Sequence, residues 1–540
     1  MKKNTCTALV SFANARAIDT EASERWGLHP FSLVEAAGRA CADVFLQTFL
    51  RKKYCRYKSF VIFSGTGNNA ADALVMLRAL VLKGRTVPSA CTVFLAHDSS
   101  ARVSAENLFS PPDSAVAAVK ALGIPIRVWN EETADDAETA GIFDQADFII
   151  DGIAGTGLNA PLCGTSETRR AALQMVNFLA ARASKSANRP LIVSVDVSAG
   201  LFDGWRPGMP AVAADVTLAI EPQKLCLYTP AARPFAGKIL PVTGIFPPAL
   251  LKKHGEAELV RWKNASARIE KISPTAYKYT RGLVEIRAGS TGSTGAAKLA
   301  ALGAQAAGAG LVRLIVDPSL HPLVAPSCYG IMAVKDGVPD SEVASGRFSP
   351  SAVLLGPGWG KGEDRKRLLE SYLPLEARGL PLILDADAID LAKDIVFHGN
   401  ALLTPHPGEF ASYTGINKDE ILADPVPVLR RFAAEKNVTI LFKGHVLYAA
   451  SPDGRIGIID GMNPQLASGG TGDVLAGFCA SLASRSGVLK NGFDGFVCAC
   501  AAASLLIQAA KTKTLAGRFA DPKELARAAA GIAGKNWLPG

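Results

Sequence analysis

Short runs of β-branched and aromatic residues alternate along this chain with longer segments in which apolar residues recur at helical spacing. Phe31–Leu50 is the clearest helical segment, with Leu33, Ala37 and Val44 on one face. Such alternation is typical of parallel α/β folds. The predicted strands are Ser59–Phe63, Cys91–Ala96, Asp147–Ile150, Leu191–Val195, Val212–Ala219, Leu283–Ile286, Leu311–Val316, Ala352–Leu355, Pro381–Leu384, Ala401–Leu403 and Thr439–Phe442.

The alternation is interrupted once, between Leu250 and Arg281, where charged residues are more frequent and long apolar runs are missing. A chain of 540 residues also exceeds what one ordinary hydrophobic core holds. We therefore expect two α/β domains, residues 1–250 and 275–540, joined by a linker over residues 251–274.

Composition narrows the class of protein. Hydrophobic residues make up 49% of the chain and charged residues 20%, which is typical of a soluble globular protein. The net charge of +9 comes without a long basic run, so we expect phosphorylated small molecules rather than nucleic acid as partners. The ten cysteines include no Cys-x-x-Cys and suggest reduced thiols in a cytoplasm. The longest apolar run, Phe496–Ala510, is too short to span a bilayer and predicts a buried helix.

A glycine-rich turn joins the strand Ser59–Phe63 to a helix-like segment. Its sequence is Ser64-Gly-Thr-Gly-Asn-Asn-Ala-Ala-Asp72. A turn of this kind presents backbone N–H groups at a helix N-terminus, where they can hold an anion. Its glycines fit the dinucleotide fingerprint, but the acid expected about 20 residues later to hold a ribose is missing. The turn therefore predicts an anion site without establishing a dinucleotide cofactor.

Three carboxylates are predicted to meet at one edge of the first sheet. Asp151 and Asp196 each follow a predicted strand, and Asp72 lies one turn into the helix. The carboxyl ends of parallel strands form the crevice where such folds bind ligands. Any one of these residues alone would more often be a helix cap or a turn residue. With the two Gly-Thr-Gly loops at Gly65–Gly67 and Gly155–Gly157 beside them, they predict a ligand site.

Three motifs of the first half together point to one family. They are Asn68-Asn69-x-x-Asp72, Asp151-x-x-x-Gly155-Thr-Gly-Leu158 and Ser194-Val-Asp196-x-x-x-Gly200. This half resembles the NAD(P)H-hydrate epimerase domain, which implies interconversion of the R and S hydrates at nicotinamide C6, with Asp196 handling the proton. The resemblance also implies a potassium ion around Asn69, Asp151 and Ala199. The residues that it implies in substrate binding are Asn68, Asn69, Ala70, Ala71, Asp72, Gly155, Thr156, Gly157, Leu158, Asn159, Ala160, Pro161 and Asp196.

The first half departs from the family pattern in its glycine loop and after Asp196. Ala70, Ala71 and Ala73 stand where the family has glycine, and Ser198-Ala199 stands in place of a Pro-Ser pair. Glycine at such positions permits a left-handed backbone or close approach to a ligand. A β-carbon in a left-handed conformation costs about 1–2 kcal/mol per residue. We therefore expect a surviving ligand site with slow or absent epimerisation.

The second half contains the motif Ser468-Gly-Gly-Thr-Gly-Asp-Val-Leu475, followed by an apolar helix. Its glycines and threonine create a cluster of backbone N–H groups that suits a transferred phosphoryl group. Asp473 lies in the first helical turn and can accept a proton from a substrate hydroxyl. Gly472-Asp473 alone would suit an ordinary helix start, but the whole motif predicts a phosphoryl-transfer site. No P-loop sequence is present.

Other polar or glycine-rich loops follow predicted strands of the second half. His406 alone would more often be structural, but its two flanking prolines and Glu409 favour a site residue. Lys443, after the strand Thr439–Phe442, suits a nucleotide phosphate. These loops indicate a ribokinase-like domain. They are Gly289–Gly295, Leu354–Gly360, Leu384–Asp387, Thr404–Glu409 and Lys443-Gly444.

The combination of Thr404-Pro-His-Pro-Gly-Glu409, Asn463-Pro464 and Gly469-Gly-Thr-Gly-Asp473 closely resembles the ADP/ATP-dependent NAD(P)H-hydrate dehydratase. The resemblance implies that the S-hydrate is dehydrated at the expense of ADP or ATP, with Asp473 assisting phosphoryl transfer and Mg²⁺ screening the phosphates. It implies Ala296, Gly358, His406 and Asp473 facing the hydrate. It implies Lys443, Gly444, His445, Val446, Leu447 and Gly472 facing the adenine nucleotide.

Together the two resemblances imply an α/β protein that repairs hydrated NADH and NADPH. Its N-terminal domain is expected to be a Rossmann-like three-layer α/β/α domain and its C-terminal domain a ribokinase-like α/β/α domain. We expect small-molecule substrates, a homo-oligomer, and no nucleic-acid or membrane partner. One alternative is a ribokinase-like small-molecule kinase fused to an unrelated domain. Another is a first half that only binds nicotinamide-like ligands as a regulatory module.

Overall fold

The structure is a computed structural model that describes residues 7–50, 57–97, 110–158, 160–163, 166–183, 189–337, 349–486, 492–519 and 521–539. The chain divides into two compact units, Ala8–Ala257 and Glu258–Gly540. Each unit contains a central sheet of mainly parallel strands and a hydrophobic core. The fold class predicted from the sequence is therefore confirmed.

The central sheet of the first unit has seven strands. Its strands, with a short pair beside it, are β1 (Thr7–Val10), β2 (Phe60–Ser64), β3 (Cys91–Leu95), β4 (Ile126–Val128), β5 (Phe148–Gly152), β6 (Leu191–Val195), β7 (Val216–Ile220), β8 (Gln223–Lys224) and β9 (Lys238–Val242). The sheet order is β4-β3-β2-β5-β6-β7-β9, and each of these neighbouring pairs is parallel. The short strand β1 pairs in parallel with β8.

Helices cover both faces of this sheet. Successive side chains of a strand point to opposite faces. Phe60 of β2 contacts Phe45, with 5.8 Å between the ring centroids, whereas Phe63, three residues later, contacts Phe178 at 5.8 Å. Phe45 and Phe178 belong to different helices, so the unit is a three-layer α/β/α structure. The helices are α1 (Phe12–Trp26), α2 (Pro30–Phe49), α3 (Asn68–Leu82), α4 (Pro111–Ala121), α5 (Glu131–Asp135), α6 (Ala137–Gln145), α7 (Glu167–Ala183) and α8 (Pro248–His254).

The second unit is built on a longer sheet. Its strands are β10 (Ala257–Leu259), β11 (Leu283–Arg287), β12 (Leu311–Val316), β13 (Met332–Lys335), β14 (Ala352–Leu355), β15 (Leu382–Leu384), β16 (Ala401–Leu403), β17 (Thr439–Phe442), β18 (Val446–Ala450) and β19 (Ile456–Asp460). They follow the order β13-β12-β11-β14-β15-β16-β17-β18-β19-β10. The pairs β17–β18 and β18–β19 are antiparallel and the other pairs are parallel.

Helices again lie on both faces. Val284 and Ile286 of β11 belong to the main hydrophobic core, whereas Glu285 between them accepts hydrogen bonds from Arg313 and from Tyr372 on the opposite face. The helices are α9 (Trp262–Ser266), α10 (Thr294–Ala306), α11 (His321–Val324), α12 (Glu363–Glu376), α13 (Asp387–Leu391), α14 (Pro407–Thr414), α15 (Lys418–Ala423), α16 (Pro425–Lys436), α17 (Thr471–Ser486), α18 (Gly495–Ala510) and α19 (Pro522–Trp537).

The helices α10 and α17 approach each other closely through two glycines. A β-carbon at Gly303 would lie 2.4 Å from the carbonyl oxygen of Val474, and one at Gly477 would lie 2.1 Å from that of Ala300. Each glycine therefore lets one backbone pack directly against the other helix. Because α17 begins inside the glycine motif, this contact fixes the position of the motif over the sheet.

The segment expected to be a linker, residues 251–274, contains ordered elements. Most of α8, the strand β10 and the helix α9 lie within it. Glu258 and Leu259 pair with β19, and Trp262 contacts Trp537 with 5.7 Å between the ring centroids. Residues 258–274 are therefore part of the second unit.

Most predicted elements are present. The helix predicted over Phe31–Leu50 is α2, and the apolar run Phe496–Ala510 forms the buried helix α18. The strand predicted over Val212–Ala219 begins only at Val216, because the backbone of Val212 bonds to Ala199 instead of a neighbouring strand. Among the residues that the structure describes, none of the helices combines the length and apolarity needed to cross a bilayer.

Candidate active sites

A cavity of about 580 Å³ lies where β2, β5 and β6 end. The parallel register brings the carboxyl ends of these strands to one edge, as the sequence predicted. Of the residues expected to bind substrate, eight line this cavity: Asn68, Asn69, Asp72, Gly155, Thr156, Gly157, Leu158 and Asp196.

Four further described residues expected around this site are not in the cavity wall. Ala70 and Ala71 are buried in α3, and Ala160 and Pro161 lie outside the lining. Asn159 lies outside the described residues.

The alanines of the glycine loop have an ordinary helical conformation. The helix α3 begins at Asn68 with Gly67 as its N-cap, so Ala70, Ala71 and Ala73 lie within its first two turns. None of the three has a positive φ. The strain expected from a left-handed alanine is therefore absent, and this reason for impaired epimerisation was wrong.

Asp196 is held at the cavity by its backbone and by a lysine. It has φ +64, a left-handed conformation that is rare outside glycine, asparagine and aspartate. Its Oδ1 accepts a hydrogen bond of 2.5 Å from Nζ of Lys224, which also donates to the carbonyl of Ile220 at 3.1 Å. Both side chains are almost fully buried. The pair is thus a desolvated carboxylate and ammonium in direct contact.

Two more carboxyl groups share the cavity. Asp72 is 8% exposed, and its Oδ1 has no hydrogen-bond partner. Burial raises the pKa of Asp72 well above its ordinary value, and the charge of Asp196 adds to the rise while Lys224 opposes it. Burial also raises the pKa of Asp19, on α1, to about 6, with Lys224 opposing and Asp196 adding. These environments favour protonated carboxyl groups beside an ionised one.

Of the residues expected around potassium, Asn69 lines the cavity, whereas Asp151 and Ala199 are not in its lining. Asp151 is fully buried, and its carboxylate accepts hydrogen bonds from Ser194, from the Ala199 N–H and from the Ile153 N–H. Burial raises its pKa to about 6. Asn69 donates to the Ala154 carbonyl, while its buried Oδ1 has no partner and so suits an oxygen-binding cation.

Ala199 could offer such a cation only its backbone carbonyl. Its side chain has no ligand atom, and its carbonyl oxygen already accepts the N–H of Val212 at 2.8 Å. Within the part of the chain that is described, no cluster of three or more His, Cys, Asp or Glu side chains is arranged to hold a metal.

Sequence reasoning missed Lys224 and Asp19. Lys224 follows β7 in Glu221-Pro-Gln-Lys224, and Asp19 lies in the middle of α1. Neither belongs to a motif with a known spacing. Only the folded chain brings them to the same cavity as Asp72 and Asp196.

In the second unit, polar residues that follow β15, β16 and β17 are joined by hydrogen bonds. Asp385 follows β15, and its Oδ1 accepts from Thr404 Oγ1 at 2.6 Å and from Lys443 Nζ at 2.7 Å. Asp385 is 2% exposed. The next residue, Ala386, has φ +47, so the chain turns sharply where Asp385 is presented. The sequence singled out this strand end but gave Asp385 no role.

Lys443 lies between this carboxylate and the glycine motif. Its Nζ is 3.9 Å from Glu409 Oε2, and a β-carbon at Gly472 would be 3.7 Å from it. Burial opposes the charge of Lys443, but Asp385 and Glu409 raise its pKa above the ordinary value. A permanent cation therefore faces the start of α17, where backbone N–H groups lack helical partners.

Asp473 lies at the third position of α17, close to these charges. Burial raises its pKa to about 6, the charge of Asp385 adds to the rise, and Lys443 opposes it. A carboxyl group with this pKa is ionised at neutral pH and remains a stronger base than an exposed aspartate. Lys443, Gly472 and Asp473, all predicted site residues, are thus brought together.

His406 caps α14 and is linked to Lys443 through Glu409. Its Nδ1 accepts from the N–H groups of Gly408 and Glu409, and Glu409 Oε2 accepts the His406 N–H at 2.8 Å. With Nδ1 accepting, the neutral ring carries its proton on Nε2, which lies 3.4 Å from Glu409 Oε1. His406 therefore has both a structural role and an exposed ring edge.

The remaining predicted residues of the second unit are Ala296, Gly358, Gly444, His445, Val446 and Leu447. Gly358, with φ +55, packs against Ala296, since a β-carbon there would lie 3.1 Å from that of Ala296. Gly444 and His445 form an exposed turn before β18. The side chains of Val446 and Leu447 are buried in the sheet, so only their backbone is left for the predicted contact with a nucleotide.

Comparison with known proteins identifies the family. A model described as NAD(P)H-hydrate dehydratase matches residues 284–529, and one described as YjeF-related protein N-terminus matches residues 30–226. A bifunctional NAD(P)H-hydrate repair enzyme of Gloeobacter violaceus is 30% identical over 481 residues, 85% of each chain. The chain belongs to the bifunctional NAD(P)H-hydrate repair enzyme family.

A repair enzyme of this family from Moorella thermoacetica is 28% identical over 500 residues, which cover 90% of this chain and 89% of its own. The solved ADP/ATP-dependent NAD(P)H-hydrate dehydratase of Bacillus subtilis, co-crystallised with ATP and Mg²⁺, is 26% identical with a TM-score of 0.45. It covers 51% of this chain and 99% of its own. The two family models of the repair enzyme fall on the two compact units, one on each.

Proposed function

We propose that this chain repairs hydrated NADH and NADPH, with a dehydratase in the second unit and an epimerase in the first. The observation that carries the proposal is the arrangement of Asp473, Lys443 and Asp385 at the start of α17, in a chain of the repair-enzyme family. A base, a cation and the backbone N–H groups of a helix start are recurring parts of sites that transfer a phosphoryl group to a hydroxyl.

In the dehydratase, the protein supplies a base and an anion site. Asp473 accepts the proton of the C6 hydroxyl as the hydroxyl oxygen attacks the terminal phosphorus of ADP or ATP. The bridging P–O bond breaks, and AMP or ADP leaves with its electrons. Lys443 and the N–H groups at the start of α17 stabilise the negative charge of the transferred group. The C6–O bond then breaks with phosphate as leaving group, C5 loses a proton, and the ring double bond is restored. Asp385 holds Lys443 in place for the first step.

Two metal ions are part of the proposal. Mg²⁺ would screen the charge of the nucleotide phosphates beside the glycine motif. A potassium ion in the first unit is supported by the unpartnered, buried Oδ1 of Asn69 and by the buried carboxylate of Asp151. It would orient the loop after β5 without taking part in proton transfer.

We also propose that the epimerase is active. Its cavity is open, Asp72 and Asp196 line it, and the alanines of α3 have a helical backbone.

The rest of the proposal is a cytoplasmic homo-oligomer. The described cysteines support the location, because none of them forms a disulfide and most of them are buried, as expected in a reducing compartment.

The test is to incubate the full chain with separated R and S hydrates of NADH, with and without ADP or ATP, and to follow absorbance at the nicotinamide band. We expect the S-hydrate to return to NADH only with nucleotide. We expect the R-hydrate to follow at a rate set by epimerisation. A stable phosphorylated hydrate without NADH would instead support the kinase alternative.

A further inference from the structure

Two buried carboxyl groups in the first unit's cavity have different partners. Asp196 is in contact with the ammonium of Lys224, 2.5 Å away. Asp72 has no such contact, and its buried Oδ1 lacks any hydrogen-bond partner. Both residues line the same cavity, with exposures of 7% and 8%. The difference between the two sites is therefore one of charge, not of burial.

The fold holds the lysine firmly at one of the two carboxyl groups. Lys224 belongs to β8, whose backbone pairs with β1. Its side chain is 4% exposed, and a second bond to the Ile220 carbonyl fixes the ammonium. Asp196 is fixed from its own side, because its N–H donates to the Leu218 carbonyl at 2.9 Å. The ammonium is thus held by two acceptors, and neither of them belongs to Asp72.

We propose that Asp72 is the proton donor of epimerisation and Asp196 the proton acceptor, and that Lys224 is the positioning residue that gives Asp196 this role. The inference rests on the proposed epimerase function. Asp72 and Asp196 are catalytic residues in this assignment, whereas Lys224 acts through Asp196.

The electrostatics of the cavity agree with this assignment. Burial raises the pKa of both carboxyl groups, but Lys224 opposes the rise at Asp196 by direct contact and hydrogen bonding. At Asp72 the charge of Asp196 adds to the effect of burial. Carboxyl groups whose environments separate their pKa values act as acid and base. The other titratable groups coupled to Asp196 are Asp19 on α1, Cys41 on α2 and Cys226 after β8.

The proposed chemistry is loss and return of water at C6. The Asp72 carboxyl gives its proton to the C6 hydroxyl, the C6–O bond breaks, and water leaves with the bonding electrons. The lone pair of the ring nitrogen forms the C6=N bond of an iminium. A water molecule then adds to the opposite face of C6, Asp196 accepts its proton, and the electrons of the C6=N bond return to nitrogen. The enzyme is left with Asp72 ionised and Asp196 protonated, which is the state for the reverse direction or for exchange with solvent.

The experiment uses the full chain without ADP or ATP, so that the dehydratase is silent and only interconversion of the separated hydrates is measured. We expect Asp72→Asn and Asp196→Asn each to slow interconversion at least about 10²-fold. Lys224→Met is expected to lower kcat by a similar factor with little change in KM. It should also move the acidic limb of the pH profile upwards, because loss of the cation raises the pKa of Asp196. Lys253→Met is the matched control, since it removes an exposed lysine–carboxylate pair of the same unit.

Chemical rescue and isotope exchange separate a positioning role from a structural one. Ethylammonium added to Lys224→Ala should restore interconversion at least about 10-fold, whereas ethanol should not. In H₂¹⁸O, each inverted hydrate should carry one solvent oxygen. Near-normal rates for Asp72→Asn, an unchanged pH profile for Lys224→Met, or inverted hydrate without label would overturn the inference. If the unmodified chain fails to interconvert the hydrates while S-hydrate dehydration with ADP persists, the epimerase proposal itself fails.

Discussion

In each candidate site, one carboxylate belongs to, or directly precedes, a non-glycine residue with a positive φ. Asp196 itself has φ +64, and Ala386, with φ +47, follows Asp385. Such conformations cost about 1–3 kcal/mol each and persist only where the surrounding structure imposes them. In both units the strained backbone lies at the end of a strand, where the carboxylate is hydrogen-bonded to a lysine. The pairs are Asp196 with Lys224 and Asp385 with Lys443.

The pKa of Asp473 predicts how dehydration depends on pH. Burial, the first cause, and the charge of Asp385 raise this pKa to about 6, against the opposition of Lys443. Because the base is the ionised form, we expect kcat to fall as pH drops below about 6 and to level off above it. Asp473→Asn should lower kcat by about 10²–10⁴-fold and leave the Kd for nucleotide nearly unchanged. Steady-state rates from pH 5 to 8 and calorimetric nucleotide titration check both points, and near-normal turnover of the variant would exclude Asp473 as the base.

The buried pair of Lys443 and Asp385 predicts a non-additive effect of mutation. Lys443→Met leaves the carboxylate of Asp385 buried without its cation, which typically costs about 3–5 kcal/mol of stability. Lys443→Met combined with Asp385→Asn should recover a large part of that loss. The free energy of unfolding is measured in urea, and hydrogen exchange in peptides of the second unit is the probe.

Binding gives the second readout for this pair. Both variants should bind nucleotide more weakly than the unmodified chain, because each lacks the cation that faces the phosphates. Their affinity for the hydrate should fall less. Equal weakening of the two ligands would place Lys443 away from the nucleotide.

At the scale of elements, the glycine-to-alanine differences in α3 act through helix stability. We expect Ala71→Gly to lower the free energy of unfolding by about 0.5–1 kcal/mol, as glycine does inside a helix, plus a term for the lost buried methyl group. Interconversion of the hydrates should change less than about 3-fold, since Ala71 does not line the cavity. A large gain in rate would show that the methyl group obstructs the ligand and restore the expectation of an impaired epimerase.

The contact between α10 and α17 gives a second test at this scale. In Gly477→Ala the new β-carbon would be 2.1 Å from the Ala300 carbonyl oxygen, so one helix must move. Overpacking of this kind costs about 1–3 kcal/mol, and a shift of about 1 Å at Asp473 can lower the rate about 10²-fold. Gly531→Ala, in α19 with open space around the new methyl group, is the control and should be slightly stabilising. Equal effects of the two substitutions would contradict close packing of α10 on α17.

Elements with strong local patterns were predictable, and those that depend on distant partners were not. The buried strands β2, β5, β15 and β16 are apolar runs that end in turn residues, so the sequence alone located them. The short β8 was not predicted, because its position is set by pairing with β1, more than 200 residues earlier in the chain. Lys224 was missed with it. The sequence singled out Asp72, Asp196 and Asp473 as candidates because the glycine loops near them carry a local signal.

At the scale of the whole molecule, the chain combines two compact units, each with its own core and its own candidate site. The proposed product of one site is the substrate of the other, and it is a small molecule that can diffuse. The two activities therefore do not require a single intact chain. We expect a chain with Asp196→Asn to dehydrate the S-hydrate normally and a chain with Asp473→Asn to interconvert the hydrates normally.

Mixing these two variants should restore conversion of the R-hydrate to NADH in the presence of ADP or ATP. The rate should rise in proportion to the Asp473→Asn chain when the Asp196→Asn chain is in excess, since epimerisation is then limiting. Each variant alone, at the same total concentration, is the control for spontaneous epimerisation. No recovery in the mixture, although each variant keeps its remaining activity, would mean that the hydrate passes between sites within one chain or one assembly. The fusion of the two domains would then speed up transfer of the hydrate from one site to the other. In that case the unmodified chain would release little free S-hydrate into solution while it repairs the R-hydrate.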